Sequence, residues 1–285
     1  MHEMRVRVGP AAFRLVSTWR APMATLAHLY AAYPVPDTVD FTVRLEPVSL
    51  LRRFVRPAVA LGGDYMLTGA APLPLAHGVL GAEMAMNLQM ALGWRRQLIL
   101  HASAVERDGR VLIMTGESGS GKSTLSAMLG QAGWRFLGDE FVLIDGMDGT
   151  VHPFPRPISL KNGAIARMEG QVSDPARFGP RLIATPKGDI RHLIPPADAI
   201  ARMDERARPA MVLYPRFGAD RAVRVVGKDE HFMRLTQAST NYVALGETGF
   251  AALSSLVVDH PAYAIDYPSG EEALALVEQL WSETI

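Results

Sequence analysis

At 285 residues, 48% of them hydrophobic and 20% charged, the chain is long and apolar enough to bury a substantial core as one large domain or two smaller ones. Its 29 basic and 29 acidic residues cancel, so no general field draws it to nucleic acid or anionic lipid. It has no cysteine, which excludes disulfides, thiolate metal sites and a cysteine nucleophile and fits a reducing compartment.

Residues 1–95 read as a small α/β region. Alternation over Met4–Val8 predicts a strand, apolar spacing over Met23–Tyr33 a helix, and Phe41–Leu45 a second strand, with Pro34 and Pro36 marking the turn between helix and strand. Leu75, Val79, Leu80, Met84, Leu88 and Leu92 recur at helical spacing, so Leu75–Trp94 is a helix whose apolar positions serve a core. His77, Glu83, Asn87 and Gln89 interrupt this stretch well short of a membrane span, and Met1–Val8 alternates charges without a signal-peptide core. The expectation is a soluble cytoplasmic protein with neither a membrane nor a nucleic acid as partner. Arg52-Arg53 and Arg95-Arg96 read as solvated faces.

From residue 96 the pattern changes. Leu98–Leu100 is a strand, Asp108-Gly109 a turn, and Arg110–Thr115 a strand that runs into Gly116-Glu117-Ser118-Gly119-Ser120-Gly121-Lys122-Ser123-Thr124. This is a complete phosphate-binding loop, G-x-x-x-x-G-K-[ST], with the strand before it and the helix after it that the motif requires. Glycines let backbone N–H groups close around anionic oxygens, and the helix beginning near Gly121 adds its positive end. Lys122 reaches the β- and γ-phosphates of a nucleotide, and Ser123 is a Mg²⁺ ligand. Leu125, Met128 and Leu129 space the helix, which Gly130 and Gly133 end. Trp134–Leu137 and Phe141–Ile144 are strands flanking Gly138-Asp139-Glu140, so two carboxylates sit at a strand junction only 17 positions after Lys122. Most phosphate-loop ATPases and GTPases carry their second acidic motif on a later strand. Residues 151–209, rich in proline and glycine and without clean periodicity, read as functional loops. The tail from Ser269 is a capped helix, with Glu272 three residues after the cap and Leu274, Leu276, Val277 and Leu280 as its apolar face.

Three elements in order, the strand end His101-Ala102-Ser103-Ala104, the loop GESGSGKST and the acidic pair in Leu137-Gly138-Asp139-Glu140, resemble the HPr kinase/phosphorylase family and its relatives that phosphorylate other targets, including lasso-peptide tailoring kinases. The likeness covers about residues 98–145. It implies an α/β fold, a phosphoenolpyruvate-carboxykinase-like P-loop kinase domain with a mixed sheet over 96–285, preceded by the small α/β region 1–95 that packs on it or partly merges with it. It also implies an ATP- and Mg²⁺-dependent kinase that transfers the γ-phosphate to a hydroxyl, preferably Ser or Thr of a small protein or peptide. By motif position, Asp139 would be the base that accepts the hydroxyl proton. Glu140 would be a second acid contacting the metal beside Ser123 and Asp139, and His101 would orient or tune Asp139. The family's Glu-x-Arg-Gly signature is replaced by Ser159-Leu160-Lys161-Asn162-Gly163, leaving Lys161 as the cation for the transferring phosphate. Arg156, Lys187 and Arg216 are further cations nearby in sequence. A ring-forming homo-oligomer is implied as well. Two alternatives stay open: a small-molecule kinase with a metabolite acceptor, and a nucleotide-binding regulatory protein with little or no transfer.

Overall fold

The computed structural model describes residues 1–66 and 69–285. The first part of the chain forms β1 (His2–Val8), β2 (Ala11–Ser17), α1 (Arg20–Leu29), β3 (Phe41–Pro47), β4 (Ala58–Gly63), β5 (Leu73–Pro74) and α2 (Gly78–Gly93). The five strands make one mixed sheet in chain order, with β2 and β3 parallel and the remaining pairs antiparallel. β1 alternates as expected, burying Val6 and Val8. The first helix runs over 20–29 instead of 23–33. Pro22 is tolerated in its first turn, and Tyr30 and Tyr33 leave the helix because their hydroxyls donate elsewhere in the interior, to Glu83 and to the Pro155 carbonyl. α2 is apolar nearly all round and lies against β3 and β4.

The chain continues through β6 (Gln97–Leu100), β7 (Ala102–Arg107), β8 (Arg110–Thr115), α3 (Lys122–Gln131), β9 (Arg135–Gly138), β10 (Val142–Asp145) and β11 (Val151–His152). Next come β12 (Ile158–Lys161), α4 (Gly163–Gln171), β13 (Leu182–Thr185), β14 (Gly188–Leu193) and α5 (Ala197–Ala201). The last elements are β15 (Arg208–Phe217), β16 (Ala222–Val225), α6 (Lys228–Ala238), α7 (Tyr242–Leu245), α8 (Glu247–Asp259), β17 (Ala262–Tyr267) and α9 (Gly270–Thr284). The architecture is α/β with mixed sheets. Residues 151–209 are not mainly loops: they hold four strands, the start of β15 and two helices, including a three-stranded antiparallel sheet ordered β12-β14-β13. The four strands β11 to β14 are two to six residues long, too short for alternation to show in the sequence.

The central sheet has six strands ordered β16-β17-β15-β8-β7-β9. β7 is antiparallel to both neighbours, whereas β8, β15 and β17 run parallel, so β9, on the far side of β7, shares their direction. The carboxyl ends of β9, β8, β15 and β17 and the amino end of β7 therefore meet at one edge, where open α/β sheets bind ligands. A bulge at Leu137, where Ala104 faces Gly138 and Val105 faces Phe136, turns the end of β9 out of the ladder. The buried Arg135–Glu106 pair fixes this register from the opposite end of the two strands. The core of the first sheet extends into the second part of the chain: Ile99, Phe141, Leu143, Phe154, Ile200 and Met203 pack into it. Among the described residues no helix is long and apolar enough to cross a membrane.

Candidate active site

At that sheet edge lies a cavity of ≈790 Å³. Strand β8 delivers the phosphate loop to it, and Ser118, Gly119, Gly121, Lys122, Ser123 and Thr124 line the wall. Gly116, Glu117 and Ser120 do not line it. Lys122 Nζ donates to the Gly116 and Glu117 carbonyls, each at 2.8 Å, and lies 3.4 Å from Ser120 Oγ. Burial lowers the Lys122 pKa, and the Asp139 and Glu140 carboxylates oppose that shift. The turn needs glycine at Gly121: its φ is +100°, and an added Cβ would stand 2.5 Å from the Tyr267 hydroxyl. The Ser120 carbonyl between loop and helix accepts from the Phe217 amide at 3.2 Å, which ties the loop to the end of β15.

The same cavity receives Asp139, Glu140, His101 and Lys161. Asp139 is buried at the end of β9, and its Oδ1 accepts from the hydroxyl of Ser103 on β7. Oδ2 is also buried and has no hydrogen-bond partner among the described residues. Burial raises the Asp139 pKa and the adjacent Glu140 raises it further, while the hydroxyls of Ser103 and nearby Ser123 and the charge of Lys161 pull it down. Glu140 has φ +72°, a left-handed conformation disfavoured for a glutamate, which sets the two carboxylates at a sharp corner. His101 sits beside Glu140, not Asp139: its Nδ1 is 3.7 Å from Glu140 Oε2. The hydroxyl that touches Asp139 belongs to Ser103. His101 and Ser103 are two residues apart at a strand start, so alternation placed both on one face and was the available signal.

The other cations separate cleanly. Lys161 ends β12, and Lys187 sits in the turn between β13 and β14; both line the cavity. Arg156 does not. It is buried against α2, where its guanidinium pairs with Glu83 and donates to Asn87, held there because a charge taken out of water needs a partner. Arg216 lies outside as an exposed ion pair with Asp266, Nε to Oδ1 at 2.9 Å. Arg167 on α4, which no motif singles out, joins the cavity wall and bonds Glu271 at 2.9 Å. Phe217 and Tyr267, the last residues of β15 and β17, complete the wall, with ring centroids 6.0 Å apart.

No family model matches the chain, and no curated protein matches it. Among solved structures, the HPr(Ser) kinase/phosphatase from Coxiella burnetii aligns over 65% of this chain and 98% of its own, at 13% identity and a TM-score of 0.28.

Proposed function

We propose that this protein is an ATP- and Mg²⁺-dependent phosphotransferase that moves the γ-phosphate of ATP to a hydroxyl, preferably on Ser or Thr of a small protein or peptide. The observation that carries this proposal is the buried Asp139 carboxylate, with one oxygen unpartnered among the described residues, in the same cavity as the G-x-x-x-x-G-K-[ST] loop. Phosphoryl transfer asks a protein mainly for positioning and charge neutralisation. The loop amides, the α3 amino end and Lys122 hold the β- and γ-phosphates. Lys161 offsets charge on the equatorial oxygens of the transferring group. Asp139 accepts the hydroxyl proton as the acceptor oxygen bonds to phosphorus, and the bond from phosphorus to the β,γ-bridging oxygen breaks to release ADP.

Among the described residues no three His, Asp or Glu side chains are grouped to hold a metal unaided. That suits Mg²⁺, which binds through one or two carboxylates, retained waters and substrate phosphates. Ser123 and Glu140 would hold it beside Asp139, whose Oδ2 is left for the proton, and the ion would neutralise charge shared by the β- and γ-oxygens.

The test is transfer of label from [γ-³²P]ATP with Mg²⁺, using cell extract as the acceptor pool. The expected result is a discrete labelled band or peptide, reduced at least ~100-fold by Asp139→Asn. Wild-type labelling by Asp139→Asn would remove the proposed base. A metabolite acceptor is the second possibility, favoured by a cavity whose ≈790 Å³ falls within the ~300–1,000 Å³ typical of small-molecule sites. Label in a small product and none in protein would establish it.

A further inference from the structure

The chain contains only four lysines among its 29 basic residues, and three of them, Lys122, Lys161 and Lys187, line this one cavity. Lys122 belongs to the phosphate loop. The other two arrive from a different sheet, on two turns that are bonded together. The Asn162 amide donates to the Asp189 carbonyl at 3.0 Å, and Asn162 Oδ1 accepts from the Asp189 amide at 3.1 Å. Asn162 adopts φ +49° and ψ −122° there, outside the regions that residues with a Cβ ordinarily occupy. Thr185 closes the second turn, its hydroxyl donating to the Gly188 carbonyl at 2.6 Å and accepting from the Lys187 amide at 3.2 Å.

Neither Lys161 nor Lys187 forms an ion pair or a side-chain hydrogen bond among the described residues, although most arginines of the chain are paired. Arg167 is already engaged by Glu271. Lys161 and Lys187 reach the cavity from the β12-β14-β13 sheet, an element separate from the phosphate loop and from the Asp139-Glu140 corner. Around the cavity, four cations face two carboxylates, and both carboxylates sit at the Asp139-Glu140 corner.

We propose that Lys187, one bonded turn away from Lys161, forms an anion subsite on the acceptor side of the cavity, so that the acceptor carries a carboxylate or phosphate close to the hydroxyl that is phosphorylated. This rests on the kinase function proposed above. The subsite suits either an acidic peptide, with Asp, Glu or a phosphate next to its Ser or Thr, or a free hydroxy acid or phosphorylated alcohol. An uncharged residue flanking the hydroxyl would leave the Lys187 ammonium unanswered, and specificity follows from that penalty.

The test uses full-length protein loaded with the non-hydrolysable analogue AMPPNP and Mg²⁺, titrated in a calorimeter with glycerate, glycerol 3-phosphate and glycerol, and in a second arm with Ser pentapeptides flanked by Asp or by Ala. Saturable binding of the anionic members of either arm is expected, with at least ~5-fold weaker or no binding of glycerol and the Ala-flanked peptide. Lys187→Met, an exposed turn substitution, should weaken anion binding at least ~5-fold while AMPPNP affinity stays within ~2-fold. Which arm binds identifies the source of the anion. Equal binding of charged and neutral probes would overturn the proposal, as would no anion binding, or a Lys187→Met variant that loses nucleotide affinity and keeps anion binding. Failure of AMPPNP to bind would instead sink the kinase function, and anion titration of the nucleotide-free protein and of Lys187→Met would still decide the role of Lys187.

Discussion

Asp139 combines burial, a neighbouring carboxylate and an oxygen without a partner among the described residues, an arrangement that costs folding free energy and suits the proposed base. Its folded pKa lies above the unfolded value. The stabilisation linked to that shift is therefore fully present below the unfolded pKa and is lost as pH rises through the folded one. Above the folded pKa the ionised carboxylate is a net burden, so the Tm gain from Asp139→Asn should grow with pH, by roughly 2–4 °C between acid conditions and pH 8. Calorimetric scans at the two pH values check this. Ser103 acts in the opposite direction, since its hydroxyl stabilises the ionised form. Ser103→Ala should move the acid limb of the pH–rate profile to higher pH and reduce the rate most at low pH; an unmoved limb would mean that Asp139 is not the titrating base. Lys122, Asp139, Glu140 and His101 were legible because their types and spacing form a local pattern. Arg167 was not, because its place at the cavity depends on how α4 packs, and for Ser103 alternation with His101 gave the face but not the Asp139 contact, which depends on which strand pairs with β9.

At the scale of elements, the loop from β8 into α3 is shaped by backbone as much as by side chains. Gly121→Ala meets two obstacles, a left-handed φ and the Tyr267 hydroxyl, and only the second can be relieved. Gly121→Ala should therefore abolish AMPPNP binding, and the double variant Gly121→Ala/Tyr267→Phe should not restore it; recovery in the double variant would assign the whole effect to the clash. The strand–loop–helix–strand run was readable because each element has enough length for its period and the glycine punctuation is explicit. The Ser269 cap was readable for the same reason, its hydroxyl accepting from the Glu272 amide at 3.2 Å. The sheet of β12, β13 and β14 was hidden by strands of four to six residues whose pairing is set by tertiary packing.

Across the whole molecule, Arg156 serves as a structural tie. Its guanidinium holds the segment before β12 against α2, with the Tyr30 hydroxyl 3.4 Å from Nε. Arg156→Met leaves Glu83 buried without its counterion and should cost about 3–5 kcal/mol, lowering Tm by roughly 10 °C. Phosphoryl transfer measured well below the transition should persist; its loss from a folded variant would return Arg156 to the site. The placement of β7 between β8 and β9 has a kinetic side. β7 and β8 form a tight hairpin and β9 returns after the phosphate loop and α3, so these strands pair within residues 102–138, whereas β8 meets β15 only across a much longer stretch of intervening chain. The register between the phosphate loop and Asp139 can thus form early in folding, from one contiguous stretch of chain, leaving the late-arriving β15 and β17 to close the wall around it.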